Sequence, residues 1–115
     1  MVTQKIKHVL WAQDMERAVG FHVGVFGFTK GYISEHWSEL TLGDAIVALH
    51  GDGDGSVRES NLSIQVDDAE AAVAAISAAG GFIVELPEQR LGEPIKLGKF
   101  RDTEGNEIML TQWVG

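Results

Sequence analysis

The chain has 115 residues, 44% hydrophobic and 23% charged, with two prolines, which predicts one compact body and excludes wholesale disorder. Nine Lys and Arg against seventeen Asp and Glu leave a formal charge of −8, so polyphosphate is repelled and neither nucleic acid nor an anionic membrane is an expected partner. The absence of cysteine excludes disulfides, a thiol nucleophile and thiolate metal sites. No leader-like h-region opens the chain and no apolar run approaches the ~20 residues of a bilayer span, so a soluble, cytoplasmic protein is expected.

Taken in order, the residues predict a strand over about Lys5 to Ala12 and then a helix opened by the capping side chain of Asp14. Met15, Ala18, Val19, His22 and Phe26 fall near one face of that helix, and Gly27 ends it before a second strand. Strand-like runs follow at Trp37 to Leu42 and Ala45 to His50. Gly51-Asp52-Gly53-Asp54-Gly55-Ser56 then reads as a flexible, solvated connection. Its acidic residues suggest calcium, but the glycine is fourth and Glu59 eighth from Asp52, whereas an EF-hand loop needs about the sixth and twelfth positions.

The pattern then starts again. A shift of 54 maps Asp14, Glu16, Ala18, Val19, Gly27 and Phe28 onto Asp68, Glu70, Ala72, Val73, Gly81 and Phe82. The second copy predicts a strand at Asn61 to Val66, an alanine-rich helix from Asp68 through Ala79, a stop at Gly80-Gly81, and strands at Ile95 to Arg101 and Glu107 to Gln112. The expected fold is α+β: two tandem βαβββ modules, about residues 1–51 and 59–115 joined by 52–58, whose paired mixed sheets surround a concave cleft.

Asp14-Met15-Glu16-Arg17-Ala18-Val19 with Phe21, Gly27-Phe28, Val66-Asp67-Asp68 and above all Phe100-Arg101-Asp102-Thr103-Glu104-Gly105-Asn106 carry a family resemblance. On these residues the chain resembles the vicinal oxygen chelate superfamily of glyoxalases, extradiol dioxygenases and bleomycin-resistance proteins. The last motif is similar to that family's aromatic-x-Asp-Pro-Asp-Gly-Asn turn. The resemblance implies four metal-ligand positions, in strands one, four, five and eight. Aligned on the family's spacing they hold Lys7, Ala48, Asn61 and Met109, none of them a strong ligand for a divalent ion. If a bulge shifted strand one by a residue, His8 would enter the cleft, with His50 as a second candidate ligand.

Alternation assigns the remaining concave side chains: Lys7, Val9 and Trp11; Trp37, Glu39 and Thr41; Ile46, Ala48 and His50; Asn61, Ser63 and Gln65; Glu107, Met109 and Thr111, with Trp113 at the rim. Aromatic, apolar and sparsely polar, this set suits a small-molecule pocket in which tryptophan stacks on a planar or cationic compound. The candidate binding residues are Lys7, Trp11, Trp37, Glu39, His50, Asn61, Ser63, Glu107, Met109 and Trp113. The resemblance to bleomycin-resistance proteins implies a homodimer that sequesters its ligand without a cofactor. The alternative is a metal-dependent lyase, isomerase or dioxygenase relative with a rearranged site that uses His8, His50 and Glu107; separately, Glu107 with Lys7 or His50 forms a candidate acid–base pair for proton abstraction without a metal.

Overall fold

A computed structural model describes residues 1–115 and shows the element order β1 (His8–Trp11), α1 (Met15–Phe26), β2 (Thr29–Lys30), β3 (Trp37–Leu42), β4 (Ala45–His50), β5 (Arg58–Gln65), α2 (Ala69–Ala78), β6 (Phe82–Gln89), β7 (Ile95–Arg101) and β8 (Asn106–Trp113). These form two four-stranded mixed sheets, ordered β1-β4-β3-β2 and β5-β8-β7-β6. In each sheet the first strand runs parallel to the fourth, and the other pairs are antiparallel. The two tandem βαβββ modules of the α+β fold are thus present.

Local chemistry sets the helix ends. Asp14 and Asp68 are both extended N-caps whose carboxylates accept from the backbone N–H three residues on. Gly27 closes α1 in the left-handed region at φ 72°, where a side chain would be strained. Along the strands, alternation sorts the faces: Leu10, Leu40, Val47 and Leu49 are buried under α1, and Ile64, Phe100, Ile108 and Leu110 join them in one core that spans both modules. Phe100 of the second module packs against Phe21 and Phe26 of α1 at ring-centroid distances of 6.3 and 5.5 Å.

Three expectations change. Strand one is shorter than Lys5 to Ala12: only His8–Trp11 finds partners on β4, and the residues before it are largely exposed. Strand five starts earlier, at Arg58, because its register on β8 is interrupted between Glu59 and Ser63, a bulge that alternation cannot foresee. The glycine-rich connection is packed against the first module at Gly51 and Gly53, while residues 54–57 are exposed. Gly53 N–H donates to the Ala12 carbonyl at 3.1 Å, and a Cβ on Gly53 would lie 2.9 Å from that carbonyl carbon. Its glycine serves close backbone approach, not freedom.

Candidate functional site

The face of the first sheet turned away from α1 carries a row of aromatic rings, tilted at Trp11–His50 and edge-to-face at Trp37–His50. β1, β3 and β4 bring Trp11, Trp37 and His50 together because Trp11 and Trp37 are both register partners of His50. The His50 ring lies 4.6 Å from Trp11 and 5.9 Å from Trp37, centroid to centroid. Each indole is also faced by a cation: Lys7 Nζ is 5.8 Å from the Trp37 ring, and the Arg58 guanidinium is 4.8 Å from Trp11. Glu39 anchors the row, accepting from Lys7 Nζ at 2.6 Å and from Trp37 Nε1 at 2.9 Å. Those two hydrogen bonds, with the Lys7 charge, hold the Glu39 carboxyl below the usual carboxylate range. It is an anion at neutral pH.

The second sheet's open face is different in kind. Arg101 donates to Glu107 at 2.9 Å and Lys99 to Glu59 at 2.8 Å, the latter ion pair lowering the Glu59 pKa and raising that of Lys99. Beside them the β5 bulge makes a small pocket of about 120 Å³ lined by Glu59, Ser60, Asn61, Leu62, Lys99, Glu107 and Met109. Asn61 sits in it at φ 60°, the one non-glycine residue with positive φ. Ser63 and Gln65 follow on the same strand and are exposed, and Trp113 stands exposed at the end of β8.

The structure corrects two proposed pairings. His8 and His50 do not converge. His8 shares its side of β1 with buried Leu10, and its Nε2 lies 2.7 Å from the Ser60 carbonyl, whereas His50 lies beside Trp11 on the opposite face. β1 pairs with β4 without a register shift, whereas β5 on β8 and β6 on β7 each carry one or more. Nor does Glu107 pair with Lys7 or His50, since Glu107 is bonded to Arg101 and Lys7 to Glu39, each within its own sheet.

These residues do not fit a divalent metal. Of the four inherited positions, Lys7 presents an ammonium, Ala48 a methyl group and Met109 a thioether, which leaves only the Asn61 amide as a weak oxygen donor. No three His, Asp or Glu side chains converge closely enough anywhere in the chain to hold an ion.

Sequence reading missed the charged residues Arg58, Glu59, Lys99 and Arg101. The signal existed in β7, where buried Gly98 and Phe100 alternate with Lys99 and Arg101. It also missed what the Phe100 to Asn106 motif does. Asp102 accepts from the backbone N–H of Glu104 and of Asn106, from Asn106 Nδ2, and from His22 Nε2 at 2.9 Å, all buried. Glu104 reaches across to α1 and accepts from the backbone N–H of Gln13 and Asp14 and from the Arg17 guanidinium. Burial alone would raise the Glu104 pKa, but the bonds from Arg17, Asp14 and Thr103 outweigh it and hold the carboxyl below its ordinary value. His22 is accordingly a structural residue, and His36 is exposed in its loop.

The fold and these faces define a glyoxalase-like protein. The family model described as Glyoxalase/Bleomycin resistance protein/Dioxygenase superfamily matches residues 5–110, and the chain belongs to that superfamily. Among solved structures it is similar to a virulence protein from Salmonella typhimurium, at 26% identity and TM-score 0.70, covering 99% of this chain and 100% of that one. It is also similar to TioX from Micromonospora sp. ML1, at 24% identity and TM-score 0.73 over 96% of this chain and 99% of that one. The fosfomycin resistance protein FosX from Listeria monocytogenes shares the fold at 14% identity and TM-score 0.77, covering 97% and 94% of the two chains. No curated protein matches the chain significantly. No helix is long and apolar enough to cross a membrane.

Proposed function

We propose that this chain is a cytoplasmic, homodimeric small-molecule binding protein that sequesters a planar aromatic or cationic compound without using a metal. The Trp11–His50–Trp37 row carries this reading, because both of its indoles already hold a cation at stacking distance. A planar cationic ligand replaces Lys7 over Trp37 or Arg58 over Trp11, exchanging an internal cation–π contact for one of larger area. The Glu39 carboxylate, 2.9 Å from Trp37 Nε1, then supplies the counter-charge. The positions occupied by Lys7, Ala48, Asn61 and Met109 support metal independence, and a second subunit gives the two open faces a way to be covered.

Tryptophan fluorescence quenching by ethidium, a planar aromatic cation, tests the proposal. Saturable quenching that survives EDTA treatment and weakens by about tenfold or more in Trp37→Ala is the expected result. Quenching indifferent to Trp37→Ala rejects the row as a site. Stoichiometric retained zinc, manganese, nickel or iron, with turnover of a hemithioacetal or catechol, would favour the enzyme reading instead.

A further inference from the structure

A further concavity shares no lining residue with the Trp11–His50–Trp37 row. A cleft of about 940 Å³ opens between the first turns of α1, the 33–36 loop before β3 and the chain just after β4. That volume is in the range that accommodates a drug-sized ligand. Met15 and Val19, both buried, and Ile33, 44% exposed, provide an apolar lining.

Its walls are built rather than loosely draped. Ser34 Oγ donates to the Trp37 carbonyl at 2.7 Å, and buried Ser38 Oγ donates back to the Ser34 carbonyl at 3.1 Å. Gly51 N–H donates to the His36 carbonyl at 2.8 Å, and a Cβ at Gly51 would lie only 2.9 Å from the His36 Cα. The wall at 35–36 is thereby fixed against the wall at 51–52. On the helix side Gly20 leaves the cleft open: a Cβ there meets nothing within 4 Å. No packing contact accounts for glycine in that mid-helix position, which costs about 1 kcal/mol relative to alanine.

The rim is acidic. Glu16, Glu35 and Asp52 border the cleft, opposed by Lys30, with His36 in the wall between. Neither Glu16 nor Glu35 is bonded to a cation of the protein, and the Asp52 carboxylate comes no nearer than 3.8 Å to His50 Nδ1, which instead accepts from the Asp52 backbone N–H at 3.3 Å. The α1 N-terminus itself is already served by Asp14 and Glu104, so it has no claim on an anion. An apolar floor beneath unpaired carboxylates matches one chemistry. We infer that this cleft is a second binding site, separate from the aromatic row, for an organic ammonium ion with an apolar body.

The probe is 4-phenylbutylammonium, titrated calorimetrically into the full chain beside 4-phenylbutanol and 4-phenylbutyrate. Saturable one-to-one binding of the ammonium is expected, at least about tenfold tighter than the alcohol and weakened by added salt. Gly20→Leu, which fills the cleft while favouring the helix, abolishes it; Glu16→Gln with Glu35→Gln weakens it by about tenfold or more; Trp37→Ala leaves it unchanged. Amide resonances of Gly20, Ser34 and Gly51 shift on titration. Absence of saturable binding, equal binding of the alcohol, or binding lost in Trp37→Ala yet retained in Gly20→Leu overturns the inference. The last outcome assigns the ammonium to the aromatic row and leaves that reading standing.

Discussion

The two helices open on the same capping aspartate, yet they are fastened differently. The amide of Ala69, at the start of α2, is satisfied by Gln112 of its own module at 2.8 Å. The amides leading into α1 are satisfied by Glu104 of the other module, at 2.9 Å for Gln13 and 2.8 Å for Asp14. Asymmetry also appears in burial: α1 buries Met15, Ala18, Val19, Phe21 and His22, whereas α2 buries only Ala69 and Ile76. The repeat therefore duplicates an architecture but not its joints. The turn between β7 and β8 is the bolt that holds module one against module two.

Breaking that bolt at its centre gives the largest effect. In Asp102→Ala, His22 Nε2, two backbone N–H groups and the Asn106 amide all lose a buried acceptor. The His22 Nδ1 atom already has no partner, so the ring cannot compensate from its other side. A loss of about 3–5 kcal/mol is expected, read as a fall in the urea midpoint with the slope retained. A loss below about 1 kcal/mol would mean the modules are held by apolar packing alone.

Glu104→Gln tests the same joint more gently. Gln retains an acceptor but loses the charge that meets Arg17 at 2.7 Å, where the arginine side chain is 46% exposed and screening limits the gain. A loss of about 1–2 kcal/mol at neutral pH is expected. The pH dependence carries the sign. The folded-state pKa of Glu104 is depressed, so its contribution is fully present above the unfolded value near 4.5 and disappears as pH falls through the folded value. Wild type should lose stability relative to Glu104→Gln below about pH 4.5, bringing the two curves together. Gln112→Ala, the corresponding change in module two, should lose about 1 kcal/mol with no such acid-range convergence. Parallel acid curves for wild type and Glu104→Gln would place the carboxylate outside the energetics of the joint.

The repeat and strand alternation made the architecture readable, because period-two burial and a capped helix followed by glycine are local signals. β3, β4 and β7 lie where alternation puts them, and the pairing of Trp11 and Trp37 across His50 follows from strand order once β1 joins β4. The joint was not readable. Asp102, Glu104 and Asn106 looked like a turn signature, and nothing nearby in sequence says that their partners lie 80 or more residues away. The linker misled for a related reason: its glycines fit flexibility and close packing equally until the chain against which Gly53 lies is known. The bulge in β5 was hidden because its cause is tertiary, with Ser60 Oγ donating to the Glu107 carbonyl and His8 Nε2 on the Ser60 carbonyl.

That bulge separates the modules at equivalent positions and supplies the smallest effect. A shift of 54 takes Lys7 to Asn61, yet Lys7 immediately precedes a regular strand while Asn61 is held at φ 60° between Glu59 and Ser63. Left-handed backbone costs a non-glycine residue roughly 1–2 kcal/mol, a cost asparagine reduces through local hydrogen bonding. Glycine removes that cost but brings about 0.5–1 kcal/mol of extra unfolded-state entropy. Asn61→Gly should therefore leave the melting temperature unchanged or raise it by a few degrees, corresponding to no more than about 1 kcal/mol. Asn61→Ala should lower it, since alanine has neither the freedom of glycine nor the polar side chain of asparagine. If alanine is instead tolerated as well as glycine, the bulge relaxes on substitution, and the three hydrogen bonds around Ser60 do not fix the backbone of the second face.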